Sequence, residues 1–289
     1  MEWINAVLQG ILLGGLYALL AAGLSLMFGV MRIVNLAHGA LAILAAYLGV
    51  ILSQNFGIPA FATLIVILPL MFGLGWVLQM TLLNRSLVRG GLAPILVTFG
   101  LAVVLIQLYQ EIFSADFKSI QAGSIATDSI VINDQIAIGV FPLLTFVVGV
   151  VVIVALQLFL SRTRSGRAMR ATSDDKDAAQ LMGIDNRRIY ALATAIALTT
   201  VGLAGVFLGI RTQFNPTYGD VTLVFAFEAV IIGGLGSLWG TLVGGMVLGI
   251  AQTLGSQINP AYGILIGHLV FLAILVFRPT GLLPKAVNS

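Results

Sequence analysis

Residues Leu143–Leu160 read LLTFVVGVVVIVALQLFL, and the ten that follow, Ser161–Arg170, read SRTRSGRAMR. The first stretch is apolar throughout apart from Thr145 and Gln157. Its length approaches the ~20 residues that a helix needs to cross the hydrocarbon core of a bilayer. A membrane strand would instead alternate apolar and polar residues over about 10 positions, so the run excludes a β-barrel. The arginine-rich continuation marks where the chain leaves the membrane. Composition extends this reading to the whole chain: of 289 residues, 59% are hydrophobic and 9% charged, whereas a soluble domain carries about 25% charged residues. The expected fold is an all-α integral membrane protein, a polytopic bundle of about eight to nine transmembrane helices forming one transmembrane domain over residues 1–289.

Apolar runs between polar or Gly/Pro punctuation give spans at 4–30, 36–53, 60–83, 92–113, 138–160, 189–211, 222–235, 238–257 and 261–278. The pair within 222–257 is expected to be a broken or re-entrant helix, because a short run is followed by Gly236-Ser237. Met1-Glu2-Trp3 enters the first run without a positive n-region or a small-residue cleavage site, so that run is read as a retained span. Orientation follows from the positive-inside rule. The connector 161–188 holds Arg162, Arg164, Arg167, Arg170, Lys176, Arg187 and Arg188, the one near Asn84 holds Arg85 and Arg89, and both are expected in the cytoplasm. The segment 114–137 is acidic, with Lys118 its only cation, and belongs outside with Asp134. Nine alternating spans then put the N-terminus outside and the C-terminus inside, so that Arg32, Arg278 and Lys285 are also internal and only Lys118 and Arg211 of the 14 Lys/Arg are external.

The net charge of +3 and pI of about 9.4 are explained by membrane orientation, so nucleic acid is not an expected partner. Cysteine is absent, which excludes disulfides, a thiolate nucleophile and thiolate metal sites. Glycines recur at helical spacing: Gly10 with Gly14, Gly236 with Gly240 and Gly244, Gly245 with Gly249, and Gly263 with Gly267. Small residues four apart let helix backbones approach in lipid, where apolar area alone gives no drive for association. Gly233-Gly234-Leu235-Gly236-Ser237 differs, since each glycine destabilises a helix by ~1 kcal/mol relative to alanine. A break is expected there, and broken helices in membranes line cavities.

Within the connector, Thr172 followed by Asp175 fits a capping signature, with Asp174, Asp175 and Asp177 complementing the helix dipole and Gly183 as the stop. The helix of about ten residues so defined carries Ala178, Leu181 and Met182 on one face. Two readings fit: an amphipathic helix lying on the lipid surface beside its basic flank, or a helix seated in a groove of a partner protein.

Asp177-Ala178-Ala179 followed by Gly183 resembles the EAA-loop pattern of ABC importer permeases, whose coupling helix docks on an ATPase subunit. Together with Asn35-Leu-Ala-His38-Gly39 and Gly233-Gly-Leu-Gly-Ser237-Leu-Trp-Gly240, it makes the whole chain resemble the branched-chain amino acid permease family, specifically its LivH-type subunit. Asp177 stands where the general pattern has glutamate, and the hydrophobic-Pro end of that pattern is missing. The resemblance implies a bacterial inner-membrane permease whose coupling residues are Asp174, Asp177, Ala178, Ala179, Leu181, Met182 and Gly183. Its implied partners are a second homologous permease, two cytoplasmic ATP-binding subunits, a periplasmic substrate-binding protein and membrane lipid. ATP and Mg2+ would belong to the ATPase subunits, with no cofactor on this chain, which carries no Gly-x-x-x-x-Gly-Lys-Ser/Thr loop. Relatives in the family also carry urea or short amides, so cargo stays open between these and small aliphatic amino acids.

Ionisable residues inside spans cost about 2.5–3.5 kcal/mol and are functional candidates by default. Glu228 is placed to meet a substrate ammonium group, to hold a gate, or to hydrogen-bond a neighbouring helix. Asn35 and His38 flank an expected inside turn, either capping helix ends or lining the inner mouth of the path. With Gly233, Gly234, Gly236 and Ser237 they complete the expected substrate path. His268 is read as a packed, hydrogen-bonded side chain, and a lone His38 does not suggest a metal. Asn215-Pro216-Thr217-Tyr218-Gly219 reads as a turn-rich outer loop that touches the binding protein. An ion-coupled transporter would need more mid-membrane charge than Glu228 and His268 supply. An intramembrane enzyme lacks any His-Glu-x-x-His or Gly-x-Ser-x-Gly motif to support it.

Overall fold

A computed structural model describes residues 2–133 and 136–284. Its centre is α1 (Glu2–Met31), apolar on all sides and rich in glycine and alanine. A helix with no polar face has no side to offer water or headgroups, and α1 is accordingly 83% buried over its most apolar window. Packed against it are α9 (Asn186–Arg211) and α11 (Leu238–Ile258), with α2 (His38–Phe56) laid against α9; all three are more than half buried. An outer set, α3 (Leu64–Leu78) with its continuation α4 (Asn84–Arg89), α5 (Ala93–Phe113) and α6 (Val140–Arg162), is at most 28% buried. These outer helices expose Ile65, Leu96, Phe99, Val151 and similar side chains to the surroundings.

Among the described residues, seven helices are long and apolar enough to cross a membrane. Two 16-residue helices, α10 (Tyr218–Gly233) and α12 (Tyr262–Phe277), occupy the remaining expected spans. Between α6 and α9 lie α7 (Arg164–Asp174) and α8 (Lys176–Leu181). The expected break is present: Gly234 and Gly236 take φ of +109° and +80°, a region L-residues rarely adopt, and Ser237 caps α11 through Gly240 N–H. The chain thus reverses, and α10 and α11 run antiparallel, with Gly233 against Gly240 and Gly244 against Ala229.

Two further departures from the expected layout have physical causes. Residues 32–37 are not a surface turn. His38 Nε2 lies 2.8 Å from the carbonyl of Leu20, which is eleven residues before the end of α1 and so about 16 Å up its axis. The extended segment therefore climbs back into the bundle before α2 begins. Non-helical backbone at that depth survives only where protein satisfies it. Here Asn35 Oδ1 accepts from Ala37 N–H and Thr98 Oγ1 accepts from Leu36 N–H. Second, the described residues of the segment 114–137 form regular structure. β1 (Ser129–Asn133) pairs antiparallel with β2 (Ile136–Gly139), Lys118 and Phe214 exchange both backbone hydrogen bonds at 2.9 Å, and Ile120 N–H donates to Gly209. Ile120 then fills the gap beside Gly49 and Gly209. Asp134 and Lys285 lie outside the described residues.

The connections sort into two ends. At one, Gly29 meets Gly236 and Ser173, Asn84 reaches Arg187, and Leu282 and Leu283 N–H groups donate to Ile232 and Gly233. At the other, Gln9 donates to Ala137 and the 118–120 segment joins 209–214. The first end gathers the basic connectors.

Glycines set the α1–α11 crossing. A Cβ at Gly245 would lie 2.6 Å from the Gly14 carbonyl, and one at Gly14 would strike the backbone of Gly245 and Met246. Gly14→Leu is expected to destabilise the protein by about 1–3 kcal/mol through overpacking. Gly73, with nothing within 4 Å of its Cβ position, should accept alanine with no loss, or a gain up to ~1 kcal/mol. Denaturant titration followed by tryptophan fluorescence compares the two.

Candidate functional site

The connector 163–188 is a series of capped helices. Thr163 Oγ1 accepts from Gly166 N–H to start α7. Asp175 breaks the helical path with φ −148° and caps α8, its Oδ1 accepting from Asp177 and Ala178 N–H at 2.9 and 3.0 Å. Asp185 caps α9 in the same way. The cap expected at Thr172 is therefore displaced to Asp175: Thr172 is buried inside α7 and donates to Asn186 Oδ1. Asp174 ends α7 and does not join α8. At the far end Gly183, with φ +84°, closes α8 through Gly183 N–H to Gln180 and Ile184 N–H to Ala179. That pair of bonds is the Schellman arrangement.

These caps fix which way the side chains point. Ala179 is buried against the body, while Asp174, Asp177 and Ala178 are exposed. Leu181 and Met182 are 90% and 83% exposed, among the most exposed large apolar side chains of the described residues. α7 is fastened beneath: Met169 is fully buried, Gly166 sits on the backbone of Phe159 and Leu160, and Ser173 donates to the last turn of α1 at Gly29. α8 is thus joined through α7 to α1.

The residues expected to line a path fall in four places. Gly236 and Ser237 line a cavity of about 270 Å³ with Ser25, Gly29, Arg170 and Trp239, so the break borders an opening between α7 and the bundle. Gly233 and Gly234 lie outside it, packed against Gly240 and Pro284. Asn35 and His38 are buried. The Leu20 carbonyl can only accept, so His38 carries its proton on Nε2, and Nδ1 has no partner among the described residues. Glu228 is buried on α10, and one of its carboxylate oxygens accepts from His268 Nδ1 on α12. Tyr17 and Gln252, which sequence periodicity offered no reason to single out, hydrogen-bond each other close by, and Phe225 lies between the rings of Tyr17 and His268 at 5.1 and 6.2 Å.

A family model described as "Branched-chain amino acid transport system / permease component" matches residues 6–277. The chain belongs to that family. It is 29% identical over 302 residues to the high-affinity branched-chain amino acid transport system permease protein BraD of Pseudomonas aeruginosa, covering 98% of this chain and 96% of that one. It is 28% identical over 302 residues to the permease protein LivH of Escherichia coli strain K12, covering 99% and 96%. Among solved structures, a chain of PsaBC from Streptococcus pneumoniae in complex with Fab matches with a TM-score of 0.50 at 16% identity over 96% of both chains. That likeness concerns the fold alone. The LivH-type resemblance carried by the three sequence motifs and the all-helical permease fold both agree with these matches.

If Asp175 is the cap, Asp175→Ala should remove about 0.5–2 kcal/mol from the α7–α8 element. Amide hydrogen exchange is then expected to quicken at Ala178 and Ala179 and to stay unchanged in α1.

Proposed function

We propose that the protein is the membrane-spanning permease subunit of an ABC importer for branched-chain, small aliphatic amino acids in the bacterial inner membrane. The observation that carries the reading is the construction of α8: a short helix capped at both ends, holding Leu181 and Met182 in the open on a mount tied to α1. A groove on a partner would desolvate these two large apolar side chains, which stand alone in a polar connector. In this reading the groove belongs to an ATP-binding subunit.

Two such subunits, a second homologous permease and a periplasmic binding protein complete the machine. ATP and Mg2+ bind on the ATPase subunits, and this chain contributes no nucleotide site. The basic end, with 161–188, faces the cytoplasm by the positive-inside rule, and so does the C-terminus. The N-terminus and the segment 114–137 face the periplasm, where with the turn at 215–217 they receive the binding protein; Tyr218 and Gly219, expected in that loop, instead begin α10. Docking at α8 moves α7, and α7 borders the cavity at the Gly234–Ser237 break, a place where the backbone already departs from the helix. Alternating access of the substrate path follows from ATP-driven movement at that junction.

Two measurements test this. Because the chain has no cysteine, single-cysteine variants report sidedness directly. Arg164→Cys should be modified by an impermeant maleimide only from the cytoplasmic side, and Val131→Cys only from outside. The opposite pattern would overturn the topology. Leu181→Asp and Met182→Asp, which place a charge in the proposed groove, should each lower ATP-driven leucine uptake by about 10-fold or more.

A further inference from the structure

Four polar side chains from four helices meet inside the bundle. Tyr17 on α1 donates to Gln252 Oε1 on α11, and His268 on α12 donates to Glu228 on α10. Gln252 and Glu228 are 6% and 3% exposed. Each nonetheless keeps one buried polar atom with no partner among the described residues: Gln252 Nε2, a donor, and Glu228 Oε2, an acceptor. Both side chains lie against one turn of α12, since a Cβ at Gly267 would sit 3.2 Å from Gln252 Nε2 and the next residue, His268, holds Glu228. Most buried polar groups in proteins are satisfied, and two orphans of opposite kind at one turn call for an explanation.

We propose that Glu228, Gln252, His268 and Tyr17 form a binding site for the charged head of a zwitterionic α-amino acid inside the membrane domain. The orphaned carboxylate oxygen accepts from the substrate ammonium, and the orphaned amide N–H donates to the substrate carboxylate. Phe225, flanked by Tyr17 and His268, holds their two rings on either side of it and gives the site an apolar wall. Entry is from the α12 face, where the His268 side chain remains 38% exposed while Glu228 behind it is covered.

The site selects for charge. A carboxylate held in a low-dielectric interior gains most from a ligand that brings a full positive charge. Urea and short amides present N–H groups and a carbonyl without that charge, so they satisfy the hydrogen bonds and leave the electrostatic demand unmet. The permease is therefore itself a filter that favours amino acids over urea, in series with whatever protein delivers them.

This inference rests on the importer reading, and the experiment separates the two. The complex of this chain with its second permease and ATPase subunits, in nanodiscs and without binding protein, is titrated with radiolabelled leucine. Saturable binding is expected, weakened about 10- to 100-fold by Glu228→Gln and by Gln252→Leu. Glu228→Asp should recover part of the loss, and excess urea should not displace leucine. Unaltered binding in both Glu228→Gln and Gln252→Leu, displacement by urea, or no saturable binding to the wild type would each overturn the site. In parallel, wild-type complex with its binding protein is assayed for ATP-driven leucine uptake in proteoliposomes. Uptake without the binding signal removes the site and leaves the importer standing, whereas absence of uptake removes both.

Discussion

Between α1 and α11 the backbones touch directly. In water, two apolar helices would associate to hide their surfaces, but in lipid the tails are as apolar as leucine and that drive is gone. What remains is dispersion at close range, which falls off within an ångström of contact. Gly10 and Gly14 meet Gly245 and Gly249 with carbonyls set where a β-carbon would otherwise stand. The same device recurs where Gly205 meets Ala42, Gly75 meets Ala195 and Gly39 meets Gly219. Each helix of the inner layer is thereby brought to α1 or α9 at backbone distance. The outer helices have no such requirement on their outward side, where leucine, isoleucine, valine and phenylalanine face the surroundings.

That tight inner layer permits two interruptions of regular structure. The 32–37 segment and the Gly234–Ser237 turn both carry non-helical backbone, and each is covered by protein: the first by Asn35 and Thr98 side chains, the second by the strand-like return of Leu282 and Leu283. Neither would persist against lipid. The two interruptions differ in neighbourhood, however. Only the second borders the cavity shared with α7, and so only it adjoins the helix on which α8 is mounted.

Much of this was legible in the sequence, for reasons that name themselves. Long apolar runs report the spans because the bilayer imposes one length. The glycine-rich break was visible because three glycines in four residues have no other use in a helix. The α8 element was found at its stop, Gly183, but its start was read three residues early. Thr172 and Asp175 are both competent caps, and local pattern cannot tell which one the fold buries; tertiary contact with Asn186 decides it. The climb of 32–37 into the bundle was hidden for a similar reason, since its hydrogen-bond partners, Leu20 and Thr98, lie far away in sequence.

The polar cluster shows the limit most sharply. Glu228 declared itself as an acid in a span and His268 was expected to be a packed, hydrogen-bonded side chain, as it is, whereas Tyr17 and Gln252 are unremarkable on any helix. Their meaning lies in pairing across four helices, and in the atoms that pairing leaves over. A glutamine with both groups satisfied is a strut, and so is a glutamate bound on both oxygens. Among the described residues each has one group engaged and one without a partner, and those two are a donor and an acceptor lying against the same turn of α12. Stability alone would have favoured closing that gap with a fifth side chain, because an unsatisfied polar atom weakens a fold by about 1–3 kcal/mol. A site that must bind and then release its cargo has the opposite need, since groups already satisfied within the protein would leave nothing to recognise a passing solute.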